Sequence, residues 1–398
     1  MTRDATVAIV GGGLAGLVAA GRLERHGVDA VLIEAGERLG GRIESPTAAQ
    51  MGAAGGPADA LARFDLGATW FWPSMQPELG GLIDALGLPA FAQHEAGDLL
   101  VERSPHIAPQ RLHGYATGSM RLDGGMAALV EAVQGRLRTT RIVHGETVRR
   151  IGRVASGVEL AATDAAGRAV TYRAGHVLLA LPPRLAAATL AFEPALPREL
   201  AGAWRDTATW MAPHAKYVAV YDTPFWREAG LSGEARSAGG PLAELHDASP
   251  GRGAGALFGF FGVPARTRAR VTDAELRTHC RAQLVRLFGA QAATPRAEAI
   301  RDWAGLPSVA TDADQAGEAG GGGHGVAPPA AAAAGPWRGA LTGIASEWSP
   351  RFPGYVAGAV DAAERGVRAW LDGTGRVPAS RSSPPALPSP PSSNGASS

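Results

Sequence analysis

The chain carries one cysteine, Cys280, and one lysine, Lys216, among 398 residues. A lone cysteine cannot close a disulfide within the chain, so the fold rests on its core and a reducing, cytoplasmic setting is expected. No Cys pair and no H-E-x-x-H occurs, so no metal site is expected, and no G-x-S-x-G elbow presents a nucleophilic serine. Long apolar runs are missing, so no membrane span is expected. The opening MTRDATVAIV passes straight into an apolar strand, which predicts no cleaved leader. Excess charge is also missing. Lys and Arg number 38 against 37 Asp and Glu, which excludes the polybasic surface that nucleic acid or an anionic membrane requires. Every basic residue but Lys216 is an arginine, so that one lysine calls for a specific reason. Nothing in the pattern specifies an oligomeric state.

What is present is a globular composition, 45% hydrophobic, in a length that accommodates two domains. The chain is organised around Val7 to Arg42. An apolar run, Val7 to Val10, predicts a buried strand. Gly11, Gly13 and Gly16 then stand in G-x-G-x-x-G spacing at the head of an apolar helix, roughly Leu14 to His26, and a second apolar run ends on Glu34. Strand, glycine turn, helix, strand and acid, in that order, form a dinucleotide-binding unit. Gly11 permits the tight turn, Gly13 lets backbone approach a pyrophosphate, and Gly16 lets helix and sheet pack closely. The helix N-terminus presents free N–H groups to phosphate, and Glu34 is placed to accept from a ribose hydroxyl. Arg38-Leu39-Gly40-Gly41-Arg42 follows. Its two arginines either meet a second face of the pyrophosphate or form a solvated basic turn.

With this extension the sequence resembles the flavin amine oxidase family (monoamine oxidase-like), and further segments extend the resemblance from residue 7 to about 372. Phe64-Asp65-Leu66-Gly67-Ala68-Thr69-Trp70 resembles the family segment that runs along the flavin, implying contacts at Gly67, Ala68 and Thr69. Lys216, opening a strand before Phe225-Trp226, matches the family lysine that holds a water against flavin N5. Arg301-Asp302-Trp303 matches a tryptophan segment near the flavin, and the backbone at Val148 would contact adenine. Leu341 to Trp348 and Pro353 to Ala359 match a further pair of motifs. Glu347 would accept a ribityl hydroxyl, the helix from Val356 would aim its positive end at the flavin pyrimidine, and Tyr355 would wall the amine site. Some family members carry a cysteine bonded to the flavin, followed by an aromatic residue. Gly323 and His324 take those places, implying FAD held without a covalent bond and His324 facing Tyr355. Ala345 departs from the family, which has glycine there.

The resemblance implies an α/β fold: a two-domain, Rossmann-type FAD-binding protein with an inserted α+β substrate domain. The expected FAD segments are 1–77, 131–200 and 336–372, and the substrate segments 78–130 and 201–311. Residues 312–335 read as a Gly/Ala-rich loop, 45–60 as a surface loop, and 373–398 as a Pro/Ser tail unable to build a core. Thr272 to Glu275 predicts a capping box, followed by a helix that puts Cys280 on an apolar stripe. The implied activity is oxidation of a small neutral amine to an imine, with FAD as cofactor and O2 reduced to H2O2. Lys216, Tyr355 and His324 are the catalytic candidates. Two rivals share these features. One is a carbon–carbon desaturase of the same fold, against which Lys216 argues. The other is a flavin-binding relative without turnover, left open by Ala345 and the low-complexity loop.

Overall fold

The computed structural model describes residues 2–53, 62–114, 116–251, 253–316 and 325–375. Two large sheets carry the architecture. The first runs Ala191–Glu193, Thr147–Val154, Gly157–Thr163, Ala169–Leu179, Thr2–Val10, Ala30–Ile33, Arg141–Val143, and Leu341–Gly343 pairs with Ala169–Leu179 off this path. The long strand Ala169–Leu179 does two jobs along one edge. Its first half pairs antiparallel with Gly157–Thr163, and its last three residues pair parallel with Leu341–Gly343. Its other edge pairs parallel with Thr2–Val10. The glycine-turn unit thus lies in a parallel layer joined by Ala30–Ile33 and Arg141–Val143.

Both faces of this layer are covered, as a parallel sheet requires, and so its strands are apolar without a break. Val7, Ile9 and Leu32 face the helices Leu14–Arg25 and Val356–Gly373. Ala8, Val10, Val31 and Ile33 face the opposite core, which holds Trp204, Trp337 and Trp348. The period of two along each strand sends neighbours to opposite cores.

The second sheet runs Ala297–Asp302, Ala215–Tyr221, Gly255–Phe261, Leu242–Asp247, Leu231–Ser237, Asp98–Glu102, Gln110–His113. The helix Asp273–Phe288 covers one face and buries Cys280, Leu284 and Leu287 there. Thr272 and Glu275 form the capping box at its head.

Three expected segment limits change. Of 78–130, only Asp98–Glu102 and Gln110–His113 join the second sheet; the helix Pro77–Leu86 and residues Leu122 to Val130 pack into the core around the glycine-turn helix, because their apolar stripes face it. Residues 201–206 belong with the first sheet, since the helix Arg198–Asp206 buries Trp204 in its core. The segment 312–335 opens with a short helix, Asp312–Ala316, anchored by Asp314, which pairs with Arg184 at 2.6 Å. The expected surface loop is partly interior too: Ala48 is buried, and Ser45 donates to the Asp65 carboxylate. Among the described residues, no helix is long and apolar enough to cross a membrane.

Candidate cofactor and substrate cavity

A cavity of about 1040 Å³ opens between the two sheets. That is at the upper end for a single small-molecule site, with room for a dinucleotide and a small second ligand. Gly11, Gly13, Glu34, Arg38, Arg42, Gly67, Ala68, Thr69, Val148, Trp303, Tyr355 and Val356 all line it. They come from both sheets and from chain ends more than 340 residues apart.

The glycine turn is built as the spacing predicts. Gly11 has φ +108°, a region closed to most side chains, and a Cβ at Gly16 would run into the Gly11 carbonyl. Gly16 therefore acts through packing and does not line the cavity. A Cβ at Gly13 would meet nothing within 4 Å, so the turn leaves open space where a phosphate needs it. Among the described residues, no side chain caps the helix behind Gly13, nor the helix that starts at Val356. Two helix N-termini thus aim unmatched N–H groups and positive dipole ends at one cavity, an arrangement suited to an anionic cofactor. Glu34 accepts from the Gly12 N–H at 2.6 Å and the Gly36 N–H at 2.8 Å, which holds its carboxylate at the cavity wall.

Gly67 shows why this stretch must be small. A Cβ there would strike the Arg42 carbonyl and approach Trp303 Cζ2 at 3.1 Å. Trp303 is fully buried and donates through Nε1 to the Leu66 carbonyl. Residues 66–69 are clamped from one side by Trp303 and from below by Lys216.

Three expectations are corrected by side-chain placement. Lys216 is not at the cavity surface. It is fully buried beneath residues 65–69, and its ammonium donates to Asp65 O at 3.1 Å, Gly67 O at 2.9 Å and Thr69 Oγ1 at 2.6 Å. All three N–H groups are used, so none is left to hold a water at the cofactor. Arg38 turns back on its own loop, donating to Gly41 O at 2.7 Å and Ile43 O at 2.8 Å. Glu347 is buried behind the wall. Its carboxylate accepts from Arg42 at 3.0 Å and from Ser346 Oγ at 3.0 Å, which positions Arg42 and leaves no ribityl contact of its own. Arg42 also donates to Trp210 O at 2.8 Å. His324, with Gly323, lies outside the described residues.

Burial governs the titrating groups. It pulls the Lys216 ammonium down to about 7, with Asp65 opposing and Arg121 adding to the shift. The rings of Phe258 and Phe260, 4.1 and 5.1 Å from Nζ, take part of the hydration lost there. Burial raises the Asp65 carboxyl, against Arg121, Ser45 and Lys216. His214 is lowered by burial and by Arg268.

Several wall residues have no local sequence signal. Trp210, Met211, His214, Glu244 and Phe260 reach the cavity only because the second sheet folds against the first. Met211 has φ +70°, the single non-glycine residue in the left-handed region among the described residues, at a cost of roughly 1–3 kcal/mol. Trp72 and Tyr355 meet edge to face with centroids 6.2 Å apart. The W-x-W after Thr69 was the available signal for Trp72. Ala345 lines the wall beside Ser346, so its methyl takes up space a glycine would leave free.

A dinucleotide turn, a flat backbone strip and an aromatic wall in one cavity define a flavoprotein oxidoreductase architecture. Comparison with known proteins agrees. The model for flavin containing amine oxidoreductases matches residues 90–371, and the NAD(P)-binding Rossmann-like domain matches residues 9–86. The chain belongs to the flavin-containing amine oxidoreductase family. A Mycobacterium tuberculosis protein bearing the name flavin-containing monoamine oxidase AofH is 33% identical over 252 residues, 62% of this chain and 51% of that protein. Putrescine oxidase of Kocuria rosea is 32% identical over 167 residues, 38% of this chain and 34% of that protein. The chain therefore spans about half the length of the AofH protein and about a third of the Kocuria putrescine oxidase in these matches. Among solved structures, wild-type putrescine oxidase bound to putrescine superposes with a TM-score of 0.72 at 20% identity, covering 94% of this chain and 100% of that one. That likeness concerns the fold.

Proposed function

We propose that the chain is an FAD-dependent oxidase of small amines. The observation that carries this reading is the single cavity that joins the glycine turn and Glu34 at one end to the Trp72–Tyr355 wall at the other. FAD, when bound, supplies a two-electron acceptor that the protein's own side chains lack. Gly11 to Gly13 and the helix behind them would take its pyrophosphate, Glu34 a ribose hydroxyl, and Val148 the adenine. Gly67 to Thr69 and the helix N-terminus at Val356 would hold its ring system. The fit is supported by the open space at Gly13 and by the two uncapped helix N-termini.

The protein's work is binding, orientation and exclusion of water. Tyr355 and Trp72 would hold and orient the amine between their rings and the rest of the cavity wall. The amine loses two electrons and two protons to become an imine, and water hydrolyses the imine to a carbonyl product. Molecular oxygen takes up the two electrons and two protons as H2O2. Lys216 serves this half-reaction indirectly, by fixing Gly67 and Thr69 and placing positive charge under them. The relatives' names point to monoamines and to putrescine as the classes to try first.

The test is the visible spectrum of the purified protein, mixed without oxygen with a panel of monoamines, diamines and amino acids. Bleaching of the flavin band by one class is expected, followed by stoichiometric H2O2 on admitting air. A flavin band that no amine bleaches would refute the reading and favour the desaturase or non-catalytic alternative.

A further inference from the structure

We infer that His214 is a substrate-binding residue whose unprotonated ring nitrogen accepts a hydrogen bond from the amine in its neutral form. This rests on the amine oxidase reading and adds a residue and a protonation state to it.

The placement is specific. His214 immediately precedes the strand Ala215–Tyr221 that carries Lys216; its N–H donates to the Met211 carbonyl at 3.0 Å and its carbonyl accepts from the Trp303 N–H at 3.0 Å, which fixes its backbone at the strand's head. Lys216 is below the strip of residues 65–69, and His214 is beside it on the cavity wall. Its ring lies 5.4 Å from Trp210 and 6.4 Å from Phe260, both wall residues. Packing therefore fixes the ring, while its nitrogens bond no described residue.

The other groups at the wall are committed. Glu34, Glu44, Glu146 and Glu244 each accept from donors within the chain. Each carboxylate lining the cavity thus already has a partner, whereas the His214 ring nitrogens have none among the described residues. A neutral imidazole keeps one lone pair, and an amine that donates N–H to it keeps its own lone pair for the forming C=N bond. The charged groups on the surrounding elements are Arg268 paired with Asp302 across 2.7 Å, Arg301 paired with Glu44, Arg42 paired with Glu347, Glu244 paired with Arg236, and Lys216. A protonated His214 would itself repel an ammonium. The ring stays neutral around pH 7, because burial and Arg268 hold its pKa below the ordinary 6.5.

The experiment uses the FAD-loaded protein and two variants. His214→Phe keeps the ring contacts and removes the acceptor; His214→Gln keeps an acceptor and cannot titrate. The probe is tert-butylamine, which has no α C–H and so is not oxidised. Its binding is read from the shift of the flavin spectrum, and the variants' own spectra before its addition report on the cofactor. His214→Phe is expected to weaken tert-butylamine binding about tenfold, the worth of one hydrogen bond, and His214→Gln to recover most of it. In the wild type, binding should fall with the first power of proton concentration below the amine's pKa, and with the second power once His214 also protonates. In His214→Gln the second proton should vanish. Equal binding by His214→Phe and wild type overturns the inference, as does a second-power limb that survives in His214→Gln. A changed flavin spectrum with unchanged amine binding assigns His214 to the cofactor instead. A wild-type protein bleached by amines, with unaltered binding in both variants, leaves the amine oxidase reading standing while this one falls.

Discussion

Replacing Lys216 by methionine tests whether the buried ammonium is a cost that the fold bears. Met is close in length and needs no hydration, so the change removes the charge and its hydrogen bonds with little change in shape. In the wild type, burial moves the pKa from 10.5 to about 7. Between those values the unfolded chain holds a proton that the folded chain has released. Stability conferred through this group therefore rises with pH across the window from about 7 to 10.5 and is at its lowest below 7. The full difference is about 5 kcal/mol, at about 1.4 kcal/mol for each pH unit. Against it stand the contacts to Asp65 O, Gly67 O and Thr69 Oγ1, whose loss costs the variant roughly 1–3 kcal/mol per unsatisfied carbonyl at any pH. The variant is thus expected to be closest to wild type in stability near pH 7 and progressively worse toward pH 10. Urea unfolding of both proteins at pH 7, 8, 9 and 10 measures the gap directly. A gap that stays constant to within about 1 kcal/mol over that range would show that Lys216 does not titrate there, and the reasoning would fail. The same variant should retain its flavin but be reoxidised more slowly by oxygen, because residues 67–69 lose their anchor and the charge beneath them. Unchanged oxygen kinetics would remove Lys216 from the reaction.

Two further substitutions probe other parts of the molecule. Gly67→Ala forces a methyl into the Arg42 carbonyl and against Trp303, so the 66–69 strip must shift; flavin content per chain should fall severalfold with little change in far-UV circular dichroism, and full flavin occupancy would contradict the role given to this strip. Thr272→Ala removes the capping box of the Asp273–Phe288 helix, which faces away from the cavity; it should cost about 1 kcal/mol of stability with amine oxidation unaltered, and a changed rate would show coupling between helix and cavity that the packing does not predict.

Legibility in the sequence followed the range of the forces involved. The glycine turn, its helix and Glu34 lie within 36 residues, and each obeys a rule of backbone geometry: φ at Gly11, close approach at Gly16, a helix N-terminus after Gly13. The capping box and the core position of Cys280 were readable for the same reason, since a helix repeats over a few residues. The chain's one lysine marked a residue of consequence, and that held in one respect: Lys216 is fully buried against the strip that lines the cavity.

Only the tertiary structure decided what these side chains meet. The sequence placed Lys216 on a strand; the fold brought the carbonyls of Asp65 and Gly67, about 150 residues away, onto its ammonium and used up its donors. Glu347 and Arg42 each read as a cofactor ligand, yet folding brings them together across 305 residues, and the carboxylate serves the arginine. The cores of the two sheets divided residues 78–130 between them, which no local period records, because an apolar stripe specifies that it will be buried and not by what. His214 carried no signal at all beside Lys216. It became a candidate because the second sheet turned its ring toward the cavity and left its nitrogens without a partner among the described residues, an outcome of long-range packing that a chain read residue by residue does not contain.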